Sequence, residues 1–116
     1  TGRTRHVYLN TVAIAVLRKW QPRHHTKEDL VFRNKRGSRF THVKTSWSRL
    51  LNMADIENFR WHDMRHTFAS NLVMKGVDLN TVREFLGHTD IKMTQRYAHL
   101  APEHKAKAVE LLVSTR

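Results

Sequence analysis

Two clusters in this 116-residue chain hold residue types suited to moving a phosphoryl group. One is His62-Asp63-Met64-Arg65-His66, and the other is Leu86-Gly87-His88, followed nine residues later by Tyr97. Transfer of a phosphodiester without a metal needs an in-line nucleophile, cations on the non-bridging oxygens, and groups that give and take protons. Arginine is the best clamp because its planar fork binds two phosphate oxygens at once. Histidine titrates near neutrality and can donate or accept. A tyrosine hydroxyl ionises only near about pH 10, so it needs basic surroundings to become a nucleophile.

Taken singly, each residue also has an ordinary structural role. Tyr97 suits a core aromatic, Arg65 a surface cation paired with an acid, His62 a cap at a helix start, and His88 a hydrogen-bonder at a helix end. His62 and His66, four apart with an acid between them, echo the His-Glu-x-x-His zinc motif. Asp63 replaces its glutamate, however, and nothing obvious supplies a third ligand. A metallohydrolase is therefore the lesser reading, and His66 reads as a structural hydrogen-bonder beside the site.

The elements that must position these groups follow from hydrophobic spacing. Thr4 to Leu9 alternates weakly, like a strand, after a turn at Thr1-Gly2-Arg3. Val12, Ala13, Val16, Leu17 and Trp20 recur at helical spacing, with Asn10 or Thr11 as cap and Gln21-Pro22 as stop. Leu30-Val31-Phe32 is a short strand candidate, followed by a turn at Lys35-Arg36-Gly37-Ser38. The remainder reads as helical. Val43, Trp47, Leu50, Leu51 and Ala54 form one apolar stripe, and Met64, Phe68 and Leu72 form another that ends at Gly76. A short helix spans about Asn80 to Leu86, packs through Val82, Phe85 and Leu86, and closes at Gly87. A further helix starts near Asp90, with Ile91, Thr94 and Ala98 on one side and Tyr97 carried on it. Pro102 and Glu103 open the last helix, whose face is Ala106, Val109, Leu112 and Val113. The fold class is thus mainly α with a small β-hairpin or sheet edge near the N-terminus. His62 and Arg65, three apart at a helix start, share a face at the end that carries the positive dipole and free amides, where a phosphate is favoured.

Charge points to a polyanion. Lysine and arginine number 21 against 10 acids, a net charge of +11. Residues 1–58 hold twelve bases and four acids, whereas residues 59–116 hold nine and six, which suggests a basic face. Arg3, Arg5, Arg36, Arg39, Lys44 and Arg49 are the candidate DNA-contacting residues, either as phosphate contacts that set register or simply as a solvated face. The helix from Val43 to Ala54 suits a position near the major groove. Cysteine is absent, which excludes disulfides and thiolate metal sites and fits a cytoplasmic setting. No apolar run approaches the roughly 20 residues of a membrane span, so no membrane partner is expected.

The strings Trp61-His62-Asp63-Met64-Arg65-His66-Thr67-Phe68-Ala69-Ser70, Leu86-Gly87-His88 and Met93-Thr94-Gln95-Arg96-Tyr97-Ala98-His99-Leu100 together resemble the signature of the tyrosine recombinases, the phage-integrase family. The resemblance spans about residues 59–113, and Thr1 to Leu9 resembles the family's β-hairpin. It implies that Tyr97 attacks the phosphorus, giving a 3′-phosphotyrosine link and a free 5′ hydroxyl, with no metal or nucleotide cofactor because the covalent link conserves the phosphodiester energy. Arg65 is similar to the second of two catalytic arginines, which binds the non-bridging oxygens. His62 is similar to the proton partner of the tyrosine, and His88 to the late His/Trp position that hydrogen-bonds the phosphate. The implied function is DNA breakage and rejoining for site-specific recombination or integration, on double-stranded DNA at specific sites, within a DNA-bound tetramer, by a bacterial or phage-encoded protein in the cytoplasm. The resemblance also implies a first catalytic arginine and a lysine ahead of Thr1. The chain is therefore expected to be the C-terminal part of a catalytic domain, inactive in strand transfer by itself. Tyr8 departs from the family, which often has proline there. The alternative is a non-catalytic DNA-binding module on the same scaffold. The last helix suits either folding back on its own domain or docking on a neighbouring protomer.

Overall fold

The computed structural model describes residues 4–103 and 105–114, which divide into two compact units, Thr1–Phe59 and Arg60–Arg116. In the first unit, α1 runs over Thr11–Trp20. Asn10 caps it from an extended conformation, its Oδ1 accepting from the Ala13 amide at 2.9 Å, while Arg18 and Lys19 meet the negative end of its dipole. Gln21 returns to extended backbone ahead of Pro22, as the residue before a proline must. The Trp20 indole then donates to the Val31 carbonyl at 2.8 Å, and its ring lies 6.0 Å from that of Phe32. Further along, Asn34 organises a turn by accepting from the amides of Arg36 and Ser38 at 2.9 and 3.0 Å. The second helix, α2, spans Lys44–Met53, and beyond it the Trp47 and Phe59 rings lie 5.9 Å apart.

The expected β element is absent: among the described residues there is no strand, neither at Thr4 to Leu9 nor at Leu30 to Phe32. The physical reason is pairing. A strand exists only by exchanging backbone hydrogen bonds with another strand, and a lone two-stranded ribbon is marginal in water. Here the Val31 carbonyl is instead taken by the Trp20 side chain. Thr1, Gly2 and Arg3 lie outside the described residues.

The second unit holds the core. Its helices are α3 (Asp63–Met74), α4 (Leu79–Leu86), α5 (Lys92–Gln95) and α6 (Lys105–Ser114), with a 3-10 turn at Ala98–Leu100 between the last two. Ala69 and Val73 of α3, Val82 and Leu86 of α4, and Tyr97 form one buried cluster, flanked by Leu72, Val77, Leu79 and Leu100. The inward face of α3 therefore differs from the expected Met64–Phe68–Leu72 stripe: Met64 and Phe68 remain 40% and 48% exposed. Ala69 and Val73 lie four apart, and the small Ala69 side chain lets α4 approach closely. Phe68 instead meets the Phe85 ring at 6.4 Å. The last helix begins at Lys105, later than expected, and its apolar residues Val109, Leu112 and Val113 are all exposed. No helix among the described residues is long and apolar enough to cross a membrane.

Two glycines end the helices that carry the site. Gly76, at φ +90°, closes α3: its amide bonds the Val73 carbonyl and the Val77 amide the Leu72 carbonyl. Gly87, at φ +71°, closes α4 in the same way, with the His88 amide bonded to the Arg83 carbonyl. A Cβ at Gly76 would meet nothing within 4 Å, so Gly76→Ala carries only the cost of the left-handed backbone. It is expected to lower stability by about 1 kcal/mol in urea denaturation, with Gly76→Asn losing less. Asp78 caps α4, and its carboxyl is held below its ordinary value of 3.8 by the Thr81 hydroxyl and then the Thr81 amide. A depressed folded value means that this contribution is full above the unfolded value and is lost as pH falls through the folded one. Asp78→Asn is therefore expected to flatten the fall of the urea midpoint as pH drops below about 4.

Candidate active site

The sequence-predicted quartet converges. His62, Arg65, His88 and Tyr97, spread over 36 positions, line a single recess of about 390 Å³ in the second unit, together with His66, Lys92, Met93 and Arg96. Its volume falls at the small end of the usual ligand-site range of roughly 300–1,000 Å³. Among the described residues no aspartate or glutamate lines it. Lys92, Arg65 and Arg96 thus give the recess a positive charge that favours an anion.

Each side chain is held by a local device. His62 occupies the N-cap position of α3, and Arg65 follows one turn in. Asp63 tightens this start by accepting from the Arg60 amide at 2.8 Å. The Arg65 guanidinium donates to the Leu86 carbonyl. That carbonyl belongs to the last turn of α4, whose oxygens have no partner within the helix. The contact ties the start of α3 to the end of α4 and leaves a five-donor fork with further N–H groups for an anion. His88 stands two residues beyond Leu86. Its backbone carbonyl accepts from Arg83 at 3.0 Å, and Arg83 is itself braced by Asn80 at 3.0 Å. Its ring Nδ1 lies 2.9 Å from the hydroxyl of fully buried Thr94, which fixes the plane of the imidazole.

Tyr97 is placed differently from expectation. It lies just past α5 rather than within it, as the residue that leads into the 3-10 turn. It is buried, with 6% of its surface exposed, and Ala98, not Tyr97, turns outward. Four-residue α5 is too short to keep the anticipated periodicity, and the turn after it rotates Tyr97 onto the core. Its hydroxyl lies 2.6 Å from His66 Nδ1, and the Arg96 guanidinium sits 5.7 Å from its ring centroid. The imidazole within hydrogen-bonding reach of the phenol is therefore that of His66; the His62 ring stands edge-on behind it at 5.0 Å. Among the described residues no cluster of three His, Asp or Glu side chains could hold a metal.

Sequence reasoning missed Lys92, Met93 and Arg96 as lining residues, although their spacing of four and one residues from Tyr97 or each other was visible. It also missed Arg83 and Thr94, which orient His88 through contacts with no pattern in sequence. None of the described candidate DNA contacts is among the residues that line the recess. Arg5 precedes α1, Arg36 lies in the Asn34 turn and Arg39 just after it, and Lys44 and Arg49 are on α2, all exposed in the first unit. Arg3 lies outside the described residues.

Comparison with known proteins bears on this geometry. Residues 1–104 match the sequence profile of the Phage integrase family. The chain is 40% identical over 113 residues to the integrase of Salmonella phage P22, covering 84% of this chain and 28% of that protein. It is 41% identical over 85 residues to tyrosine recombinase XerD of Pasteurella multocida, covering 69% of this chain and 28% of that one. The catalytic domain of bacteriophage HP1 integrase superposes with a TM-score of 0.53 at 41% identity, covering 66% of this chain and 48% of the HP1 chain. The chain thus spans less than a third of the length of those two curated relatives. With nine-tenths of its residues inside the family profile, the chain belongs to the phage integrase family.

Proposed function

We propose that this chain is the C-terminal part of the catalytic domain of a site-specific tyrosine recombinase, which breaks and rejoins double-stranded DNA through Tyr97. The observation that carries the reading is the recess that Tyr97 lines together with Arg65, His62, His66 and His88, with its hydroxyl on His66. Tyr97 Oη attacks the phosphorus, forms a 3′-phosphotyrosine link and releases the 5′ hydroxyl. A 5′ hydroxyl from the partner strand then reverses the step, so the phosphodiester energy is conserved and no nucleotide or metal cofactor is required. Arg65 binds the non-bridging oxygens as their charge grows, and His62 and His88 donate hydrogen bonds to the same phosphate. Lys92 and Arg96 add to the positive field at the mouth of the site.

The exposed cations of the first unit, Arg5, Arg36, Arg39, Lys44 and Arg49, with Arg3, contact backbone phosphates and set register. Release of condensed counterions on such contacts makes binding fall steeply with salt. The exposed apolar residues of α6 support docking onto a neighbouring protomer in a DNA-bound tetramer. The names of the P22, HP1 and XerD relatives support a phage-encoded or bacterial recombinase, and we place its action on chromosomal DNA in the cytoplasm.

The test uses the full-length protein and a duplex that it selects from a random-sequence pool and cleaves. Tyr97→Phe is expected to abolish the covalent protein–DNA adduct on denaturing gels while DNA affinity stays within about threefold and stability falls by only about 1 kcal/mol for the lost hydrogen bond. Adduct formation by Tyr97→Phe would overturn the nucleophile assignment, whereas a wild-type protein that binds DNA but forms no adduct would favour the non-catalytic DNA-binding reading.

A further inference from the structure

The Tyr97 hydroxyl is partnered by an imidazole to which the family resemblance gives no part in the reaction. His66 Nδ1 lies 2.6 Å from Tyr97 Oη, within the range of a short hydrogen bond. The two rings are 6.1 Å apart and tilted by 47°. His66 is half-buried on α3, and the groups around it come from three directions. His62, edge-on at 5.0 Å, and Arg65 share its own helix start; His88 comes from the turn after α4; Lys92, Arg96 and Tyr97 come from α5 and its end. Among the described residues no carboxylate lines the recess, and Asp63, the acid nearest in sequence, is engaged by the Arg60 amide.

We propose that His66 is the base that takes the proton of Tyr97, while His62 serves the phosphate and the far edge of His66. The inference rests on the reading of Tyr97 as nucleophile. With its own proton on Nε2, neutral His66 offers the Nδ1 lone pair to the phenol. The proton passes from Oη to Nδ1 as Oη forms its bond to phosphorus. The bond from phosphorus to the 5′ oxygen breaks, and that oxygen leaves with the electron pair and takes up a proton from water. In rejoining, the 5′ hydroxyl attacks the phosphotyrosine and gives its proton back to the hydroxide left by that water, and His66 returns its own proton to the departing phenolate. The charge of the bound phosphodiester lies beside the imidazolium formed in between and stabilises it by Coulomb attraction. The arrangement also explains the burial of Tyr97. A phenol packed into the core keeps a fixed distance to a helix-borne imidazole, and general-base transfer depends on that distance.

The decisive variant is His66→Asn in the full-length protein, since its amide oxygen can accept near the Nδ1 position but cannot take a proton. Adduct formation is measured from about pH 5.5 to about pH 9 on the selected duplex, and on the same duplex with sulfur in place of the bridging 5′ oxygen. A thiolate leaves without a proton, so the sulfur substrate rescues a missing acid but not a missing base. His66→Asn is expected to slow adduct formation about 100-fold on both substrates and to erase the acidic limb of the rate profile, whereas His62→Asn keeps that limb. A rate within about threefold of wild type, rescue by sulfur, or an intact acidic limb in His66→Asn would overturn the assignment. If thermal melting shows that His66→Asn fails to fold, the wild-type profile on the sulfur substrate decides: an acidic limb supports the base and a flat profile refutes it. Tyr97→Phe separates the two readings. An adduct in that variant refutes the nucleophile itself, whereas its absence beside an unimpaired His66→Asn refutes only the role of His66.

Discussion

A hydrogen bond between a phenol and an imidazole 31 residues apart in sequence forms only if two separate segments are held in register to a fraction of an ångström. In this protein the register is set by the packing of Ala69 and Val73 on Val82, Leu86 and the ring of Tyr97. Tyr97 belongs at once to the core and to the recess. Its ring is buried with the aliphatic side chains, and its hydroxyl emerges beside His66. Burial of the ring, worth a few kcal/mol of stabilisation, therefore also restrains the hydroxyl.

The same economy appears around Arg65 and His88. The final turn of α4 leaves carbonyls without helical partners, and Arg65 takes the one at Leu86. Gly87 then turns the chain out in the left-handed conformation, which delivers His88 to the recess that Arg65 lines. Arg83 holds the backbone of His88, and Thr94 holds its ring. A helix end, which begins as a problem of unsatisfied hydrogen bonds, has become the frame on which the Arg65 and His88 side chains are mounted. The recess is positive because its cations are gathered without acids; the acids of this unit are used elsewhere, Asp63 and Asp78 at helix starts.

Helices with strong local signals were legible in sequence. Asn10 and Gln21-Pro22 bounded α1, Gly76 and Gly87 marked the ends of α3 and α4, and the quartet His62, Arg65, His88 and Tyr97 was named in full. The failures have physical causes. Thr4 to Leu9 and Leu30 to Phe32 had strand-like composition, but strands depend on partners, and Trp20 satisfied Val31 instead. The stripe on α3 misled because Ala69, a small residue with a weak hydrophobic signal, is the one on which α4 closes, while Phe68 packs at the margin.

The sequence by itself determined the family and the chemistry on offer: which residues can attack, clamp and shuttle protons, and which helix termini carry them. Those properties depend on residue type and on local backbone preference, which neighbours along the chain decide. Tertiary structure alone decided that Tyr97 is buried, that His66 rather than His62 meets its hydroxyl, and that Arg65 is anchored to the end of α4. These are distances between segments remote in sequence. They are set by how closely side chains of different volume let two helices approach, which no periodicity along one helix can encode.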